Sequence, residues 1–511
     1  MTFESILFPP DAASPPLGDE AVPDFFVDLN LDQLESSALG PYDGYALSSL
    51  FRRPLQDPLT IVYRQQMFRQ LEETAVDGAI RSFAAGMTKT REALGLSRKV
   101  YYPLQKQFYF LRAATLYCET AQTLAAALSS LTLTAPGLLA ARDYLATYLD
   151  GSDYRTLAEE VASLNADLAG VHYLMLVKDG SIRVTRYEGE NDYSIEVARS
   201  FEKFQQAGVK SYLRSFIDEG EINHVEAAVL DMVAQLHPQI FGRLTALTTM
   251  RMAFIDATLE RFDREVQFYL AYADYIAPLK RAKLPFCYPT LADGDRHVSA
   301  TDAFDLVLAR KLTAENTMVV RNDIALSGRE RILVISGPNQ GGKTTFARMF
   351  GQLHYLAALG CPVPAREARL AIFDRLFTHF EREENTQTLR GKLEDDLVRI
   401  HAILEAATSR SIIIMNEIFT STALEDALFL GKVVMDRIVR LDALCVCVTF
   451  LDELAAFGPT IVSMTSTVSP DDAARRTFRV ERRPADGAAY ALSIAQKYRL
   501  TYENIKERIT S

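Results

Sequence analysis

The sequence predicts a multidomain protein in which a helical core domain with a small hairpin insertion is followed by an α/β domain. Apolar residues recur every three or four positions in the first half, which is typical of packed helices. After Pro285, short runs of branched aliphatic residues alternate with helical segments, which indicates a largely parallel sheet. A glycine-rich loop between a predicted strand and a predicted helix also indicates a phosphate site in the second half.

The composition is that of an ordinary globular protein. Of its 511 residues, 48% are hydrophobic, and 55 basic against 66 acidic residues give a net charge of −11. This acidity disfavours an extended nucleic-acid surface, because neutralising phosphates needs clustered lysine and arginine. The five cysteines are scattered in apolar runs, as expected for reduced core thiols. The chain has no basic leader and no apolar run of membrane-spanning length, so we expect a soluble, cytoplasmic protein with no membrane partner.

The first 290 residues divide into two predicted parts. Residues 1–45 begin with five prolines in the first 23 positions, and we interpret them as a proline-rich arm. Residues 46–290 form the helical domain, with apolar stripes from Phe108 to Leu128 and from Ile255 to Ile276. At about residues 151–220, two β-rich runs joined by Asp179-Gly180 predict the hairpin insertion.

The hairpin region leaves its function open. Basic side chains such as Lys178, Arg183 and Arg186 suggest a grip on DNA. However, residues 171–220 hold seven basic and eight acidic residues, which fits a solvated mixed surface equally well.

Residues 291–511 form the predicted α/β domain. Its strands are predicted at Arg331 to Ile335, Ser411 to Met415, Leu444 to Val448 and Thr460 to Val462.

The glycine-rich loop follows the first of these predicted strands and matches the pattern of a P-loop nucleoside triphosphatase. Glycines at its fixed positions let backbone N–H groups surround phosphate oxygens at a helix N-terminus. Lys343 is predicted to reach the β- and γ-phosphates of ATP, and Thr344 to bind Mg²⁺. The candidate nucleotide-binding residues are Gly337, Pro338, Asn339, Gln340, Gly341, Gly342, Lys343, Thr344 and Thr345.

A second strand supplies the predicted hydrolytic residues. The run from Ser411 ends in Asn416-Glu417. Glu417 is placed to polarise the attacking water as a general base. Asn416 stands where an aspartate usually orders the metal, so it is predicted to hold only metal-bound water.

These segments resemble the MutS-type mismatch-repair ATPases. The resemblance rests on Asn322-Asp-Ile-Ala-Leu, ISGPNQGGKTT, FDRLFTHF (373–380), MNEIFTSTALEDA (415–427), VTFLDEL (448–454), residues 490–509 and, more weakly, 50–73. It implies an ABC-type ATPase domain of the MutS kind after a helical lever domain, with ATP and Mg²⁺ as cofactors. It also implies a homodimer on DNA, a clamp-like role for the insertion, and Asn322 as a nucleotide contact.

Departures from the family pattern modify this expectation. About 45 residues precede the lever region, too few for the family's mismatch-reading and connector domains. In the family, a segment with hydroxyl side chains reaches the nucleotide of the partner subunit. It aligns here with Gly391-Lys392-Leu393, so Lys392 stands in place of a hydroxyl. The family's histidine that senses the γ-phosphate aligns with Phe450 or Thr449, and its base-stacking aromatic residue aligns with Val319.

Two functions remain open. One is a dimeric MutS-like ATPase that binds branched or otherwise abnormal DNA rather than mismatches. The other is an ATP-switched protein-interaction module that does not touch DNA. An ABC transporter or chromosome-structuring ATPase is disfavoured, because Leu326-Ser327-Gly328 precedes the glycine-rich loop whereas the ABC signature follows it. A DNA-binding ATPase should retain DNA at low salt and lose it as the salt concentration rises, whereas a protein-interaction module should not retain DNA.

Overall fold

The computed structural model describes residues 3–10, 12, 21–190, 222–292, 296–381, 391–469, 472–485 and 506. The chain divides into two compact units. The helical unit comprises Met1–Phe3, Glu73–Leu133 and Leu138–Asp263, and the sheet unit comprises Glu4–Glu72, Thr134–Gly137 and Arg264–Ser511. These unit borders differ from the predicted domain borders at residues 45 and 290, which remain predictions.

The helical unit is built on two long helices that lie antiparallel. A Cβ on Gly86 would lie 2.2 Å from Oγ1 of Thr120, so the small residue allows these helices to approach closely. Nearer the connecting turn, the Ser97 hydroxyl donates to the Lys106 carbonyl. The helices that lie wholly or partly in this unit are α5 (Thr74–Lys99), α6 (Pro103–Ser130), α7 (Pro136–Asp150), α8 (Ser152–Ala169), α9 (His224–Leu236), α10 (Pro238–Met250) and α11 (Ala257–Arg281).

The predicted apolar stripes are largely confirmed, with one exception. Leu111, Cys118 and Leu128 are buried, but Phe108 is exposed, so its assignment to the stripe is wrong. Helix α11 is buried more widely than a single stripe, because residues 265–272 are all buried.

The predicted hairpin is present in the helical unit. Strands β1 (Tyr173–Lys178) and β2 (Ser181–Arg186) pair antiparallel, with Lys178 opposite Ser181. Asp179 and Gly180 form the two-residue turn with φ of 50° and 75°, which suits a primed turn. Residues 191–221, with the remaining basic residues of the insertion, lie outside the described residues.

The sheet unit contains a six-stranded sheet in the order β12-β11-β6-β10-β9-β8. Strands β8, β9, β10, β6 and β11 run parallel, and β12 pairs antiparallel with β11. All four strands predicted from aliphatic runs are confirmed here. The strands are β6 (Ile332–Ser336), β8 (Leu376–Phe380), β9 (Ile412–Asn416), β10 (Leu444–Val448), β11 (Ile461–Ser469) and β12 (Asp472–Arg482).

A smaller sheet of mixed direction lies in the same unit, in the order β3-β7-β4-β5. Its strands are β3 (Thr290–Ala292), β4 (Val298–Ala303), β5 (Asn322–Leu326) and β7 (Glu367–Ala371). The helices of this unit are α1 (Phe25–Asp28), α2 (Leu31–Leu39), α3 (Ser48–Phe51), α4 (Pro58–Leu71), α12 (Leu306–Ala314), α13 (Lys343–Ala358), α14 (Lys392–Ala406) and α15 (Leu424–Leu441), with 3₁₀ turns at Gly40–Tyr45 and Asp452–Ala456.

Helices cover the large sheet through its alternating side chains. Ile413 and Met415 of β9 join an apolar cluster with Ile400 of α14 and Met435 of α15. Between them, Ile414 meets α13, where a Cβ on Gly351 would lie 2.9 Å from its Cδ1. Burial on both faces explains why the central strands β6, β9 and β10 are nearly continuous apolar runs rather than alternating ones.

The prediction of a proline-rich arm is wrong for residues 5–8. Ile6, Leu7 and Phe8 are buried, and Ser5 and Ile6 donate hydrogen bonds to the Glu265 carboxylate at 2.8–2.9 Å. Residues 25–39 also form helices α1 and α2 rather than an extended linker. The apolar Ile-Leu-Phe run outweighs the prolines that follow it, because burying such side chains stabilises by roughly 1.5–3 kcal/mol each.

None of the helices within the described ranges combines the length and apolar character needed to cross a membrane.

Candidate functional site

The predicted site residues converge at one edge of the large sheet. The segment Gly337–Thr344, here called the glycine loop, directly follows β6 and leads into α13. Strand β9 ends at Asn416, two strands away from β6 across β10. Because these strands are parallel, their carboxyl ends share one edge, where α/β proteins commonly bind ligands.

The glycine loop uses backbone conformations that favour glycine. Gly337 and Gly342 have φ of 110° and 93°, and Gln340 between them has 58°. A Cβ on Gly337 would lie 2.6 Å from Oγ of Ser466, and one on Gly341 would lie 2.5 Å from the same atom. Both glycines are therefore required by the close approach of β11 beneath the loop.

The Lys343 side chain folds back over its own loop. Its ammonium donates to the carbonyls of Gly337 (2.9 Å) and Pro338 (3.2 Å) and to Oδ1 of Asn339 (3.4 Å). The Phe450 ring covers the same ammonium at 4.6 Å. Lys343 is buried, and this burial lowers the pKa of its ammonium, an effect that the nearby Glu417 carboxylate opposes.

Two predicted metal-site oxygens lie in contact. The Thr344 hydroxyl donates to Oδ1 of Asn416 at 3.0 Å. This contact joins the first turn of α13, which also contains Thr345, to the end of β9. Thr344 and Asn416 are 72 residues apart in the sequence but lie within hydrogen-bond distance in the fold.

Glu417 follows Asn416 at the same edge and is held by its backbone. Its N–H donates to the Val448 carbonyl at 2.8 Å, and its φ is 59°. Partial burial raises the pKa of its carboxyl group. The Lys343 ammonium opposes this shift, and the Glu381 carboxylate adds to it. The left-handed backbone turns the chain sharply after β9, a strained conformation of the kind found at functional sites.

Asn322 lies beside the glycine loop, but its amide contacts protein backbone. Its Nδ2 donates to the Phe478 carbonyl at 3.3 Å, and its Oδ1 accepts from the Val480 N–H at 2.7 Å. The Phe478 backbone in turn packs on Gly342, where an added Cβ would lie 3.3 Å from the Phe478 carbonyl oxygen.

The segment proposed to reach a partner subunit is described only in part. Residues 382–390 lie outside the described residues, and α14 begins at Lys392 after Gly391. Within the single chain, Lys392 forms an ion pair with Glu381. Glu381 is the carboxylate that adds to the raised pKa of Glu417, so this ion pair adjoins the predicted hydrolytic residue.

Several residues at the site were not predicted from the sequence. Arg476 donates from Nε to the Asn339 carbonyl at 3.2 Å, and the buried Ser466 hydroxyl lies under the loop without a protein hydrogen-bond partner. Both come from β11 and β12, more than 120 residues after the loop. No local sequence pattern identifies Ser466 or Arg476 as site residues, because only the pairing of β11 with β12 brings them to the loop. Of the two positions aligned with the family histidine, Phe450 covers Lys343, and Thr449 is buried.

A comparison with known proteins finds a family model that matches the region with this geometry. Residues 333–506 match the family model described as MutS domain V. A "DNA mismatch repair protein MutS" from Erythrobacter litoralis is 32% identical over 199 residues, which is 38% of this chain and 22% of that protein. Over this region the chain is therefore similar to MutS domain V and to part of a protein named for DNA mismatch repair.

Two MutS2 proteins are similar to this chain as well. An "Endonuclease MutS2" from Gemmatimonas aurantiaca is 25% identical over 300 residues, covering 58% of this chain and 34% of that protein. The one from Thermus thermophilus is 32% identical over 189 residues, covering 37% of this chain and 25% of that protein. The matched segments thus span about a quarter to a third of these MutS2 relatives. The MutS domain V match contains Lys343, Asn416 and Glu417 but not Asn322.

Proposed function

We propose that the chain binds and hydrolyses ATP at the glycine loop. The observation that carries this proposal is the set of acceptors around Lys343, because three loop oxygens hold the ammonium where phosphate oxygens would replace them. The loop backbone and the N-terminus of α13 would hold the phosphates, and Glu417 would orient the attacking water. Pro338, Asn339 and Gln340 form part of the loop, and Asn322 holds the Phe478 backbone that packs on Gly342.

The residues present fit a magnesium ion. Thr344 and Asn416 place a hydroxyl and an amide oxygen in contact, and oxygen ligands are those that Mg²⁺ prefers. When bound, the ion would neutralise charge on the terminal phosphates. Asn416 is neutral, so it would bind the ion, directly or through water, more weakly than a carboxylate.

The direct test is phosphate release from ATP by the purified full chain. We expect turnover with Mg²⁺ and its loss on chelation. If the protein neither binds nor hydrolyses ATP at millimolar Mg²⁺, the proposal is wrong.

The pH dependence of hydrolysis should reflect the buried Lys343 ammonium and the partly buried Glu417 carboxylate. Glu417 must be ionised, and its raised pKa moves the acidic limb to higher pH than an exposed glutamate would give. Lys343 must be protonated, and its lowered pKa moves the alkaline limb to lower pH than an exposed lysine would give. Initial rates measured across pH should form a bell. An acidic limb that persists unchanged in Glu417→Gln would exclude Glu417 as its source.

Asn416→Asp should tighten the magnesium dependence. Aspartate keeps an oxygen to accept from Thr344 and adds a charge, so we expect the half-saturating Mg²⁺ concentration to fall roughly tenfold. Asn416→Ala, which removes the oxygen, is the matched control and should shift it upward. A titration that is identical in wild type and Asn416→Asp would show that this side chain does not face the ion.

We further propose a homodimer in which each subunit completes the site of its partner. A two-fold interface presents the same segment of both subunits, so Lys392 at the start of α14 can reach across in both directions. The support is its position, since it pairs with Glu381 beside Glu417. ATP that bridges two subunits should tighten the dimer.

Lys392→Ala should lower hydrolysis while a lone subunit still binds ATP. In a mixture with Lys343→Ala, one hybrid site has both lysines intact, so part of the activity should return. Lys89→Ala, an exposed lysine of the helical unit, is the control for lysine loss and should behave as wild type. Heterodimers that form and yet stay inactive would show that Lys392 acts only within its own subunit.

We propose DNA as the partner, with branched or otherwise abnormal DNA as the expected form. The support is similarity to proteins named for DNA mismatch repair. The acidic net charge and the mixed hairpin charges favour the second candidate, an ATP-switched module that grips a protein. Binding of ATP-loaded protein to four-way junction, mismatched and plain duplex DNA at low salt decides between them. DNA binding should weaken steeply as salt rises. No retention of any DNA at low salt would favour the protein-binding module.

A further inference from the structure

The turn between α5 and α6 carries a cluster of basic residues in an otherwise acidic protein. The chain has a net charge of −11, yet residues 93–118 contain four basic residues and no acidic one. The four are Arg98, Lys99, Lys106 and Arg112, and all of them are exposed. Among the described residues, no acidic side chain pairs with Arg98, Lys99 or Lys106. The segment from Arg98 to Arg112, here called the helix tip, is therefore a local cationic surface.

Helix stability does not explain all of this charge. Arg98 and Lys99 lie in the last turn of α5, where the helix dipole favours cations. Lys106 lies in the first turn of α6, where the dipole disfavours a cation, and this turn contains no acidic residue. Arg112 follows further along α6, roughly 9 Å from Lys106 along the helix axis. A partner with repeated negative charges would account for cations on both helices.

Exposed aromatic rings lie among these cations. Tyr101 is 75% exposed and Phe108 is 53% exposed. Tyr101 meets Tyr102 edge to face at 5.2 Å between ring centroids, and Phe108 meets Tyr109 in the same way at 5.7 Å. Tyr109 is buried, so Phe108 packs on a fixed ring. Rings this exposed contribute little to the core, and together with the cations they suit a ligand that has both charges and flat rings.

The helix tip adjoins the base of the hairpin insertion. The Ile222 N–H, just before α9 begins, donates to Oε1 of Gln105 at 3.4 Å. One residue pair further along, the Thr245 hydroxyl of α10 donates to Oε1 of Gln107 at 3.3 Å. The chain leaves the insertion at Ile222, so a ligand bound at the helix tip would lie beside the insertion.

We propose that the helix tip binds an unpaired DNA strand. This inference rests on the proposed DNA partner and names the surface and the form of DNA that it takes. The cations would contact phosphates, and Tyr101 and Phe108 would stack on bases. Bases in a plain duplex are already stacked on one another, so an unpaired strand, such as one arm of a fork, offers them to the rings. An acidic peptide would satisfy the cations but would leave both rings uncovered.

The charge test measures fluorescence anisotropy of labelled oligothymidylate with the ATP-loaded full chain. Lys99→Gln combined with Lys106→Gln should weaken binding roughly tenfold or more at low salt. Each lost phosphate contact of a single strand lowers the slope of log affinity against log salt by about 0.7, so the slope should fall by about 1.4. Lys89→Gln combined with Lys432→Gln removes two other exposed lysines and should bind as wild type does.

The ring test removes no charge. Tyr101→Ala and Phe108→Ala should each weaken binding of oligothymidylate roughly 5- to 100-fold, as expected for loss of a stacked base, and should leave the salt slope unchanged. Tyr101→Phe and Phe108→Tyr keep the rings and should retain the affinity. Phe429→Ala, which removes a ring that is 67% exposed on α15, is the matched control and should bind as wild type does.

A tryptophan reporter gives a readout independent of affinity. The chain contains no tryptophan, so Tyr101→Trp creates a single fluorophore at the helix tip. Oligothymidylate should quench it by stacking. Inorganic polyphosphate, which has the charges but no bases, should not. Phe429→Trp is the control and should respond to neither ligand.

The outcomes separate this inference from the proposed function. If ATP-loaded wild type retains no DNA of any form at low salt, both the DNA partner and the helix-tip site are wrong. If wild type binds DNA while the lysine and ring variants bind it equally tightly, the DNA partner stands and the helix-tip site is overturned. Equal affinity of wild type for oligothymidylate and plain duplex would overturn the stacking assignment. ATP hydrolysis without DNA and the thermal unfolding midpoint should match wild type in every helix-tip variant, since the changed side chains are exposed.

Discussion

Glu417→Gln should bind ATP as tightly as wild type and hydrolyse it about 10²-fold or more slowly. Glutamine keeps the size and the backbone contact to Val448 but cannot accept the proton of the attacking water. Its neutrality also removes the cost of holding a charge in a partly buried position, so the fold should not suffer. Single-turnover phosphate release and equilibrium nucleotide binding, measured on the same preparation, separate these effects.

The control is Glu453→Gln, which changes an exposed glutamate of the same unit and should retain turnover. Loss of ATP binding by Glu417→Gln would assign Glu417 to metal binding or to the structure of the site. Unchanged turnover would remove it from the chemistry altogether.

Lys343→Ala should abolish measurable hydrolysis and weaken ATP binding by roughly 10- to 100-fold. A hydrogen bond to a charged group contributes about 1.5–3 kcal/mol, and preorganised charge stabilisation adds about 10²–10³-fold to the rate. In the nucleotide-free protein, the substitution leaves the loop carbonyls of Gly337 and Pro338 without the ammonium. A thermal unfolding midpoint close to wild type would show that the lost activity is chemical.

Lys343→Arg tests the geometry of the contact. It keeps the charge, but a planar guanidinium presents its donors in a different geometry from a compact ammonium, so turnover should stay low. Wild-type turnover in Lys343→Ala would overturn the assignment of the glycine loop.

Local sequence patterns predicted the strands, the glycine loop and the hairpin because each depends on neighbouring residues. Residues 332–335 are all apolar because β6 is buried on both faces, and Asp179-Gly180 is a dipeptide that suits the turn between β1 and β2. The meeting of Thr344 with Asn416 was also predictable, because parallel strands end at one edge.

Other features depend on pairings that sequence patterns do not reveal. Ser466 pairs with Val480 and Val468 with Arg476, so β12 has two more residues than β11 in this interval, and Phe478 lies among them. Nothing in the residues around Phe478 predicts this shift of register. The burial of Ser5 depends on Glu265, 260 residues away. Proline spacing near the N-terminus suggested an arm because proline limits local structure, whereas burial of the Ile6-Leu7-Phe8 run and its bonds to the distant Glu265 determined the outcome.

The N-terminal residues also constrain how the protein is made. Glu265 accepts from Ser5 and Ile6, and α13, the helix after the glycine loop, bonds to the carbonyls of Asp28 and Leu29 through Arg348 and Gln352. During synthesis, residues 5 and 6 must therefore wait for about 260 more residues, and residues 28 and 29 for about 320 more, before these partners exist. Such distant contacts carry a large loop-closure entropy and slow folding. Until Glu265 has been made, the Ile6-Leu7-Phe8 run lacks part of the structure that buries it, so it is an apolar segment that a chaperone can hold.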